Sequence, residues 1–345
     1  MSRNFSGRSD VFAKSGMVAT SQPLATQAGL RILQKGGNAV DAAVAAAAVL
    51  DVVEPFSTGC GGDAFALIHQ PGSKMPISFN GSGRAGSLVS LDALRGRGWE
   101  EMPLLGGAPV TVPGAIQLWW DLVDALGSLE MSEILLDAIR YAREGFLVSP
   151  IVAQAWASIV GRLQNDAARQ VFTLNGQAPL MGDTMRNRNL ADVFERLARE
   201  GVDSFYRGDI AEAIVSTVQK HGGFLTMDDM KSHRTVETSP IYTDYRGLCV
   251  YEHPPNSQGF AALQMLNLME EYDIPAHDSL SVERYHIMIE AKKLAYADLH
   301  QHCADPEFYE VPIPQLLSKA YSKARSTLIK SDGAADSFAT GIPLG

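Results

Sequence analysis

The chain has 345 residues, of which 46% are hydrophobic and 20% are charged, a composition typical of a globular protein with one large or two ordinary domains. Its 39 acidic residues outnumber its 29 basic residues, which gives a formal net charge of -10 at pH 7. This charge argues against a surface that binds the phosphate backbone of nucleic acid or an anionic membrane.

The cysteines and the first residues bear on the compartment. Cys60, Cys249 and Cys303 are odd in number and far apart, which suits neither a disulfide framework nor a metal-binding spacing. The chain starts MSRNFSGRSDVFAKSG, which has basic residues but lacks the continuous apolar core of a secretory signal. We therefore expect residues 1–14 to form an N-terminal extension and the protein to be cytoplasmic.

The first two predicted elements are helices separated by a pair of glycines. Pro23 suits a first helical turn, where its missing N–H is not needed, and an apolar stripe follows it. Gly36-Gly37 ends this helix, and Asn38 is the predicted N-cap of a second helix with Asp41 in its first turn. The second helix is rich in alanine and valine but shorter than the roughly 20 residues that span a bilayer. We therefore expect a buried core helix.

The remaining predicted elements follow in chain order, and helices outnumber strands. Capping residues, breaks at glycine and proline, and alternating polarity predict the boundaries. Predicted strands are 64–69, 76–80, 108–112, 240–245 and 248–252, the last two joined as a hairpin through Arg246-Gly247. Predicted helices are 115–126, 132–144 behind a Ser132 cap, 149–163, 190–200, 209–221, 227–233, 282–302 and 314–329. Residues 166–188 are expected to be irregular, and the small, polar residues 331–345 to form a flexible tail.

Four segments of the chain resemble one enzyme family. The longest, from Gly16 to Asp63, reads GMVATSQPLATQAGLRILQKGGNAVDAAVAAAAVLDVVEPFSTGCGGD and matches the family's opening nearly position for position. The others are GGAPVTVPGAIQLWWDLVDALG, VDSFYRG and HPPNSQGFAALQMLNLMEEYDI. In these segments the chain resembles the large subunit of the γ-glutamyltransferase family. We expect residues 15–330 to form that large-subunit part.

The resemblance implies a fold and a partner. Family members are N-terminal-nucleophile hydrolases with an α+β fold, a four-layer αββα sandwich to which both subunits contribute strands. The few strands predicted here imply a helix-rich part of this sandwich, completed by a small subunit that is not in this chain, because uncovered strand edges are a liability. We expect no cofactor, no metal ion and no nucleic-acid or membrane partner, and the resemblance is compatible with a higher oligomer.

The family's chemistry implies that the nucleophile lies outside these residues. In that family a proenzyme cuts itself before a threonine, whose hydroxyl then acts as the nucleophile and whose α-amine acts as the base. The first residue here is Met1, so we assign no catalytic nucleophile within the chain. Ser57 and Ser257 lie in turns, and no G-x-S-x-G elbow occurs. We expect the nucleophilic threonine beyond Gly345, with residues 331–345 leading to the processing site.

The resemblance also supplies a candidate substrate-binding segment. In the family's transferases, an arginine in a D-x-R-E-x-A-P strand grips the α-carboxylate of the glutamyl group with its planar fork. The matching segment, NGSGRAG from Asn80 to Gly86, places Ser82 at the arginine position and Arg84 two residues later. Residues two apart share a face of an extended chain, so Arg84 and Ser82 are the predicted substrate-binding residues. The alternative is that Arg84 pairs with a surface carboxylate.

This departure from the family pattern affects the expected substrate. It puts γ-glutamyl specificity in question while leaving amide cleavage intact. We expect an amidohydrolase or acyltransferase acting on a small anionic amide, either a γ-glutamyl compound, oxamate, or a glutaryl-type amide such as a cephalosporin-type acyl amide. Two alternatives without catalysis are an inactive truncated homologue and a homologue that only binds.

Two further motifs favour other functions less well. Residues 81–86 fit G-x-G-x-x-G, but a dinucleotide site also needs a following helix and a second strand that ends in an acidic residue. The sequence after residue 86 offers only a short helix. His300, His302 and Cys303 suggest a metal site, yet helical residues two apart point to different sides and no second ligand cluster has a suitable spacing.

Overall fold

The computed structural model describes residues 9–342, which divide into two compact units. The first unit combines the residues up to Ala64 with Gly81–Thr235. The second unit combines Phe65–Asn80 with the residues from Val236 onward. The chain therefore leaves the first unit once, returns to it, and leaves it again.

Helices dominate the described residues, and the strands are short. The helices are α1 (Pro23–Gln34), α2 (Ala39–Val53), α3 (Leu91–Arg95), α4 (Ala115–Leu126), α5 (Met131–Ile134), α6 (Leu136–Glu144), α7 (Pro150–Val160), α8 (Asp166–Phe172), α9 (Arg188–Glu200), α10 (Asp203–Tyr206), α11 (Asp209–Lys220), α12 (Met227–Ser232), α13 (Gly259–Glu270), α14 (Val282–His302), α15 (Ile313–Leu316) and α16 (Lys319–Ser326). The strands are β1 (Ala64–Ile68), β2 (Ile77–Gly81), β3 (Phe146–Leu147), β4 (Thr184–Met185), β5 (Val236–Thr238), β6 (Ile241–Tyr245) and β7 (Leu248–Glu252). A 3-10 turn at Ile274–Ala276 precedes α14.

Helix α2 begins at the predicted N-cap and is buried along most of its length. Asn38 Oδ1 accepts the Val40 N–H at 2.8 Å, and Asp41 Oδ2 accepts the Asn38 N–H at 2.8 Å, which completes a capping box. Asp41 Oδ1 also accepts the Ser128 N–H at 3.0 Å, which ties the helix to the segment after α4. The predicted core helix is confirmed. Among the described residues, no helix is both long and apolar enough to cross a membrane.

The predicted strand at 108–112 is wrong, because these residues form a turn and an irregular segment. Pro109 has no N–H to donate to a strand ladder. The Val112 N–H instead donates to the Arg84 carbonyl at 3.0 Å. Long-range contact with a loop, rather than strand pairing, therefore holds this segment.

The stretch 166–188, predicted as irregular, contains α8 and β4. Asn165 Oδ1 accepts the Ala168 N–H at 2.7 Å and caps α8, a helix too short to show a clear apolar period. Strand β4 pairs antiparallel with β3, with Met185 opposite Phe146. A two-residue strand of this kind depends on its partner and has no sequence signature of its own.

Two predicted helices are each divided in two. The stretch 132–144 forms α5 and α6, and Glu130 rather than Ser132 occupies the N-cap position. The stretch 314–329 forms α15 and α16. Ser318 has an extended backbone (φ -66°, ψ 138°), and its Oγ accepts a backbone N–H three residues later at 3.2 Å. The serine therefore starts a new helix instead of continuing the previous one.

The second unit contains two of the three small sheets of the described residues. In the order β1-β2-β5, β2 runs antiparallel to β5 and Ser78 lies opposite Thr238. Strands β6 and β7 form the predicted hairpin through Arg246 (φ 52°) and Gly247 (φ 81°), the left-handed pair that a type I′ turn requires. Helix α14 has its predicted bounds. The fold is α+β and rich in helices, as expected.

The predicted terminal segments are described only in part. Residues 1–8 of the extension and 343–345 of the tail lie outside the described residues. Within the described part of the tail, the Gly341 N–H donates to Asp298 Oδ1 at 2.8 Å. The boundaries and the flexibility predicted for these segments stay predictions.

Candidate functional site

Both predicted binding residues lie in the segment that follows β2. The strand ends at Gly81, and residues 82–86 continue without regular secondary structure. Ser82 is half-buried and Arg84 is exposed. An exposed guanidinium on a short, non-helical segment can meet a ligand that arrives from solvent.

Two hydrogen bonds hold the backbone on either side of Arg84. The Gly83 N–H donates to Asp63 Oδ1 at 3.0 Å, and the Arg84 carbonyl accepts the Val112 N–H at 3.0 Å. Asp63 closes the glycine-rich turn that precedes β1. The position of Arg84 therefore depends on residues both before and after it in the chain.

Close backbone packing explains the glycines of this segment. A methyl group on Gly83 would overlap the Val112 carbonyl, and a methyl group on Gly86 would overlap the Phe224 carbonyl. No helix starts directly after this segment, since the next one, α3, begins only at Leu91. The G-x-G-x-x-G string thus serves packing within the first unit, and the dinucleotide interpretation lacks its required strand–turn–helix context.

Sequence reasoning missed His233, whose charge state is coupled to this segment. The His233 and Tyr206 rings stack with centroids 5.6 Å apart. Burial lowers the pKa of His233, the carboxylates of Asp121 and Asp63 oppose this, and the Arg84 guanidinium lowers the pKa further. The imidazole is therefore neutral at pH 7. A single histidine with no motif around it carries no sequence signal, so only the structure could place it.

Tyr206, which packs against the His233 ring, belongs to the VDSFYRG segment. Its hydroxyl donates to the Pro113 carbonyl at 2.7 Å and accepts the Gln117 N–H at 3.1 Å. Gln117 Nε2 in turn donates to Asp121 Oδ1 at 2.8 Å. Burial raises the pKa of Tyr206, so the phenol stays protonated and keeps its ring in place.

Asp229 joins the far end of the Arg84 segment to the helix that precedes His233. Its Oδ2 accepts the Ser87 N–H at 3.0 Å and also accepts the Thr226 N–H and hydroxyl, both at 2.8 Å, in the predicted cap of α12. Burial acts to raise the pKa of Asp229, but the hydrogen bonds from Ser87 and Thr226 outweigh it, and the pKa is lowered. One carboxylate therefore anchors both the Arg84 segment and α12.

Asp51, a buried carboxyl of α2, contacts the segment that leads to the glycine turn before Asp63. Asp51 Oδ1 accepts the Thr58 hydroxyl at 2.8 Å. Burial raises the pKa of Asp51 to about 7, although the Thr58 hydrogen bond opposes this. Burial and the Asp51 charge together raise the pKa of the Cys60 thiol to about 12. Cys60 is therefore a protonated thiol and not a reactive thiolate.

The other residues considered from sequence make local contacts. His302 Nδ1 lies 2.9 Å from the Tyr309 hydroxyl, and the Cys303 thiol donates to the Ser257 carbonyl at 3.5 Å. The Ser257 hydroxyl donates to the His253 carbonyl at 2.9 Å, which stabilises a turn. Within residues 9–342, no group of three or more His, Cys, Asp or Glu side chains is arranged to hold a metal ion.

Residues 25–342 match the family described as Gamma-glutamyltranspeptidase. The chain is 40% identical over 315 residues to the glutathione hydrolase-like YwrD proenzyme of Bacillus subtilis, covering 91% of this chain and 60% of that protein. It is 34% identical over 310 residues to the oxamate amidohydrolase proenzyme of Klebsiella pneumoniae, covering 88% of this chain and 58% of that protein.

A solved structure of similar sequence also has a similar fold. The cephalosporin acylase from Bacillus halodurans matches with a TM-score of 0.87 and 42% sequence identity, over 94% of this chain and 61% of that chain. This likeness confirms the predicted fold class. The chain thus spans between 58% and 61% of the length of these three proteins. The matched residues and the shared fold place the chain in the gamma-glutamyltranspeptidase family.

Proposed function

We propose that this chain is the large-subunit part of an amidohydrolase or acyltransferase that cleaves the amide of a small, carboxylate-bearing acyl donor. The observation that carries the proposal is the placement of Arg84 on a backbone held from both sides, where the resemblance puts the carboxylate-binding segment. The proenzyme names of the Bacillus and Klebsiella relatives support a precursor that is processed into two subunits.

The proposed reaction uses a threonine outside these residues, freed by cleavage of the precursor. Its Oγ attacks the carbonyl carbon of the substrate amide while its α-amine takes the hydroxyl proton. The C–N bond then breaks, the leaving amine accepts the proton, and an acyl-enzyme ester remains. Water or a second amine attacks this ester and releases either the free acid or a new amide.

In this reaction Arg84 holds the carboxylate of the acyl donor. A guanidinium can donate two parallel hydrogen bonds to a carboxylate, which sets both the distance and the orientation of the donor. Because burial lowers the pKa of His233, its imidazole adds no second positive charge, and Arg84 carries the positive charge of this segment. The hydrogen bonds to the Gly83 N–H and the Arg84 carbonyl fix the backbone from which the Arg84 side chain extends.

The proposed substrate class follows from Ser82, which stands where the family's transferases have the carboxylate-binding arginine. A carboxylate-binding fork that moves two residues along the chain misplaces a γ-glutamyl group, and a misplacement of about 1 Å can cost about 100-fold in rate. The preferred donor is therefore oxamate or a glutaryl-type amide, a preference that the oxamate amidohydrolase name of one relative supports. The glutathione hydrolase-like name of another relative makes a γ-glutamyl donor the competing possibility.

A substrate panel with exchanged residues tests this proposal. The assembled enzyme, Arg84→Ala and the double variant Ser82→Arg/Arg84→Ala are compared for kcat/KM on oxamate, a glutaryl anilide and a γ-glutamyl anilide. Arg95→Ala, at an exposed arginine of α3, is the matched control. We expect the double variant to shift preference toward the γ-glutamyl anilide. If the unaltered enzyme already prefers that substrate, the assignment of Ser82 is wrong.

The small-subunit partner and the cytoplasmic location stay predictions. Co-purification of a second fragment of the same precursor would test the first. Cell fractionation with an antibody against the large subunit would test the second.

A further inference from the structure

Residues 335–341, here called the strap, lie along α14 and are held by two buried carboxylates of that helix. The first is Glu290, which is only 1% exposed. Its Oε2 accepts the Ala335 N–H at 3.0 Å. Lys293 Nζ bridges the same two residues, since it donates to Glu290 Oε1 and to the Ala335 carbonyl, both at 2.6 Å. Both polar groups of the Ala335 backbone are thus bound.

The second carboxylate is Asp298, which is fully buried. Its Oδ1 accepts the Gly341 N–H at 2.8 Å. Its Oδ2 accepts Gln264 Nε2 at 2.6 Å and the Tyr321 hydroxyl at 2.8 Å. A buried carboxylate is costly unless its lone pairs are occupied, so the strap supplies one of the donors that Asp298 needs.

Further contacts lie between the two anchors. Arg325 Nη2 donates to the Ala339 carbonyl at 2.9 Å and lies 3.5 Å from Asp298 Oδ1. The Thr340 hydroxyl donates to the Ala297 carbonyl at 3.2 Å. Glu290 and Asp298 are eight residues apart, which is about 12 Å along a helix. Ala335 and Gly341 are six residues apart, so the strap covers that length without full extension. The spacing of the anchors therefore fits the strap.

Gly341 approaches the second anchor so closely that no side chain fits there. A methyl group at this position would overlap the Tyr321 hydroxyl and come within 3.0 Å of Arg325 Nε. Gly333, just before the strap, is different, because a methyl group there would meet no atom within 4 Å. Docking of the strap therefore depends on a glycine at 341 but not at 333.

We infer that Glu290 and Asp298 are positioning residues for cleavage of the precursor. They dock the strap and thereby fix the point at which the chain leaves the second unit on its way to the bond that the threonine attacks. This role rests on the proposed function, whereas the docking itself does not. Cleavage requires the attacking hydroxyl and the carbonyl to meet within a narrow range, so a released strap slows it by up to about 100-fold.

The test compares Gly341→Ala with Gly333→Ala in the full-length precursor. Hydrogen exchange of the peptide that contains residues 335–341 reports docking, and a gel time course reports the rate of cleavage. We expect Gly341→Ala to speed exchange and to slow cleavage by about 10 to 100-fold. Gly333→Ala should match the unaltered precursor in both measurements. Asp298→Asn, which perturbs the anchor from the helix side, should resemble Gly341→Ala.

Kinetics of the mature enzyme distinguish a role in positioning the cleavage site from a general structural role. The fraction of Gly341→Ala that is eventually cleaved should have unaltered kcat and KM. Fast exchange with cleavage at the unaltered rate would overturn the positioning role, and unaltered exchange would overturn the docking contact. A precursor that never cleaves, even without substitutions, would refute the proposed function and remove the positioning role with it. The exchange difference would then still report the docking.

Discussion

The free energy of unfolding should depend on pH through Asp51, a carboxyl of α2 that is only 3% exposed. Its Oδ1 accepts one hydrogen bond, from the Thr58 hydroxyl at 2.8 Å. Its Oδ2 has no hydrogen-bond partner among the described residues. Burial of this underpaired carboxyl raises its pKa from 3.8 to about 7. The carboxyl is therefore protonated in the folded protein at pH 5, where the unfolded chain is ionised.

The sign and size of the effect follow from these two pKa values. Between about pH 4 and pH 7 the folded state binds one more proton than the unfolded state, so the free energy of unfolding falls as pH rises. The slope is about 1.4 kcal/mol per pH unit, and over about three units the loss is about 4 kcal/mol. The stabilisation is complete below about pH 4 and is gone above about pH 7.

Asp51→Asn removes this dependence because a neutral amide of similar shape cannot ionise. Compared with the unaltered protein, the variant should gain stability as pH rises from 5 to 8, by about 3 kcal/mol. Urea unfolding of the assembled protein at several pH values measures the difference. Asp124→Asn, at an exposed position of α4, is the control and should follow the unaltered curve. A constant difference between Asp51→Asn and the unaltered protein across this range would refute a raised pKa.

Three other predictions concern the partner, the substrate and a cap. The chain expressed alone should be inactive and poorly soluble, and co-expression with its partner segment should restore activity and solubility. Amide turnover by the isolated chain would contradict this. Arg84→Ala should lose about 1.5 to 3 kcal/mol of transition-state binding, about 10 to 150-fold in kcat/KM, while cleavage into two subunits survives and Arg84→Lys recovers little. Normal kinetics would instead assign Arg84 to a surface ion pair. Asp229→Ala should lower the free energy of unfolding by about 1 to 2 kcal/mol because α12 loses the carboxylate of its capping box and Ser87 loses its anchor, whereas Asp228→Ala should change it little. Equal effects of the two substitutions in denaturant unfolding would count against this.

Elements whose signals lie within a few residues could be predicted from the sequence. The capping box of α2 needs only Asn38 and Asp41, and the β6–β7 hairpin needs only Arg246-Gly247 between two alternating strands. The bounds of α14 were also predicted, and in the structure a serine cap precedes its long run without glycine or proline. The family was recognisable from contiguous strings alone. Each of these signals acts through local backbone geometry, which a short window of sequence contains.

Short elements were harder, because their stability comes from contacts outside the window. Helix α8 has seven residues, and β3 and β4 have two each, so none shows a period. The predicted strand at 108–112 had suitable residues but no partner, since Val112 bonds to Arg84 instead. Strand propensity alone cannot predict the conformation of such a segment when one long-range hydrogen bond outweighs it.

The sequence by itself determined the family, the helix-rich fold class and the segment that carries Ser82 and Arg84. Only the tertiary structure brought His233 within electrostatic reach of Arg84, gave Asp229 its second role at Ser87, and brought Gly341 to the buried Asp298. These groups are far apart in the chain and meet only after folding. Burial then changes their chemistry, because a neutral imidazole or a satisfied buried carboxylate depends on which distant donors and charges surround it.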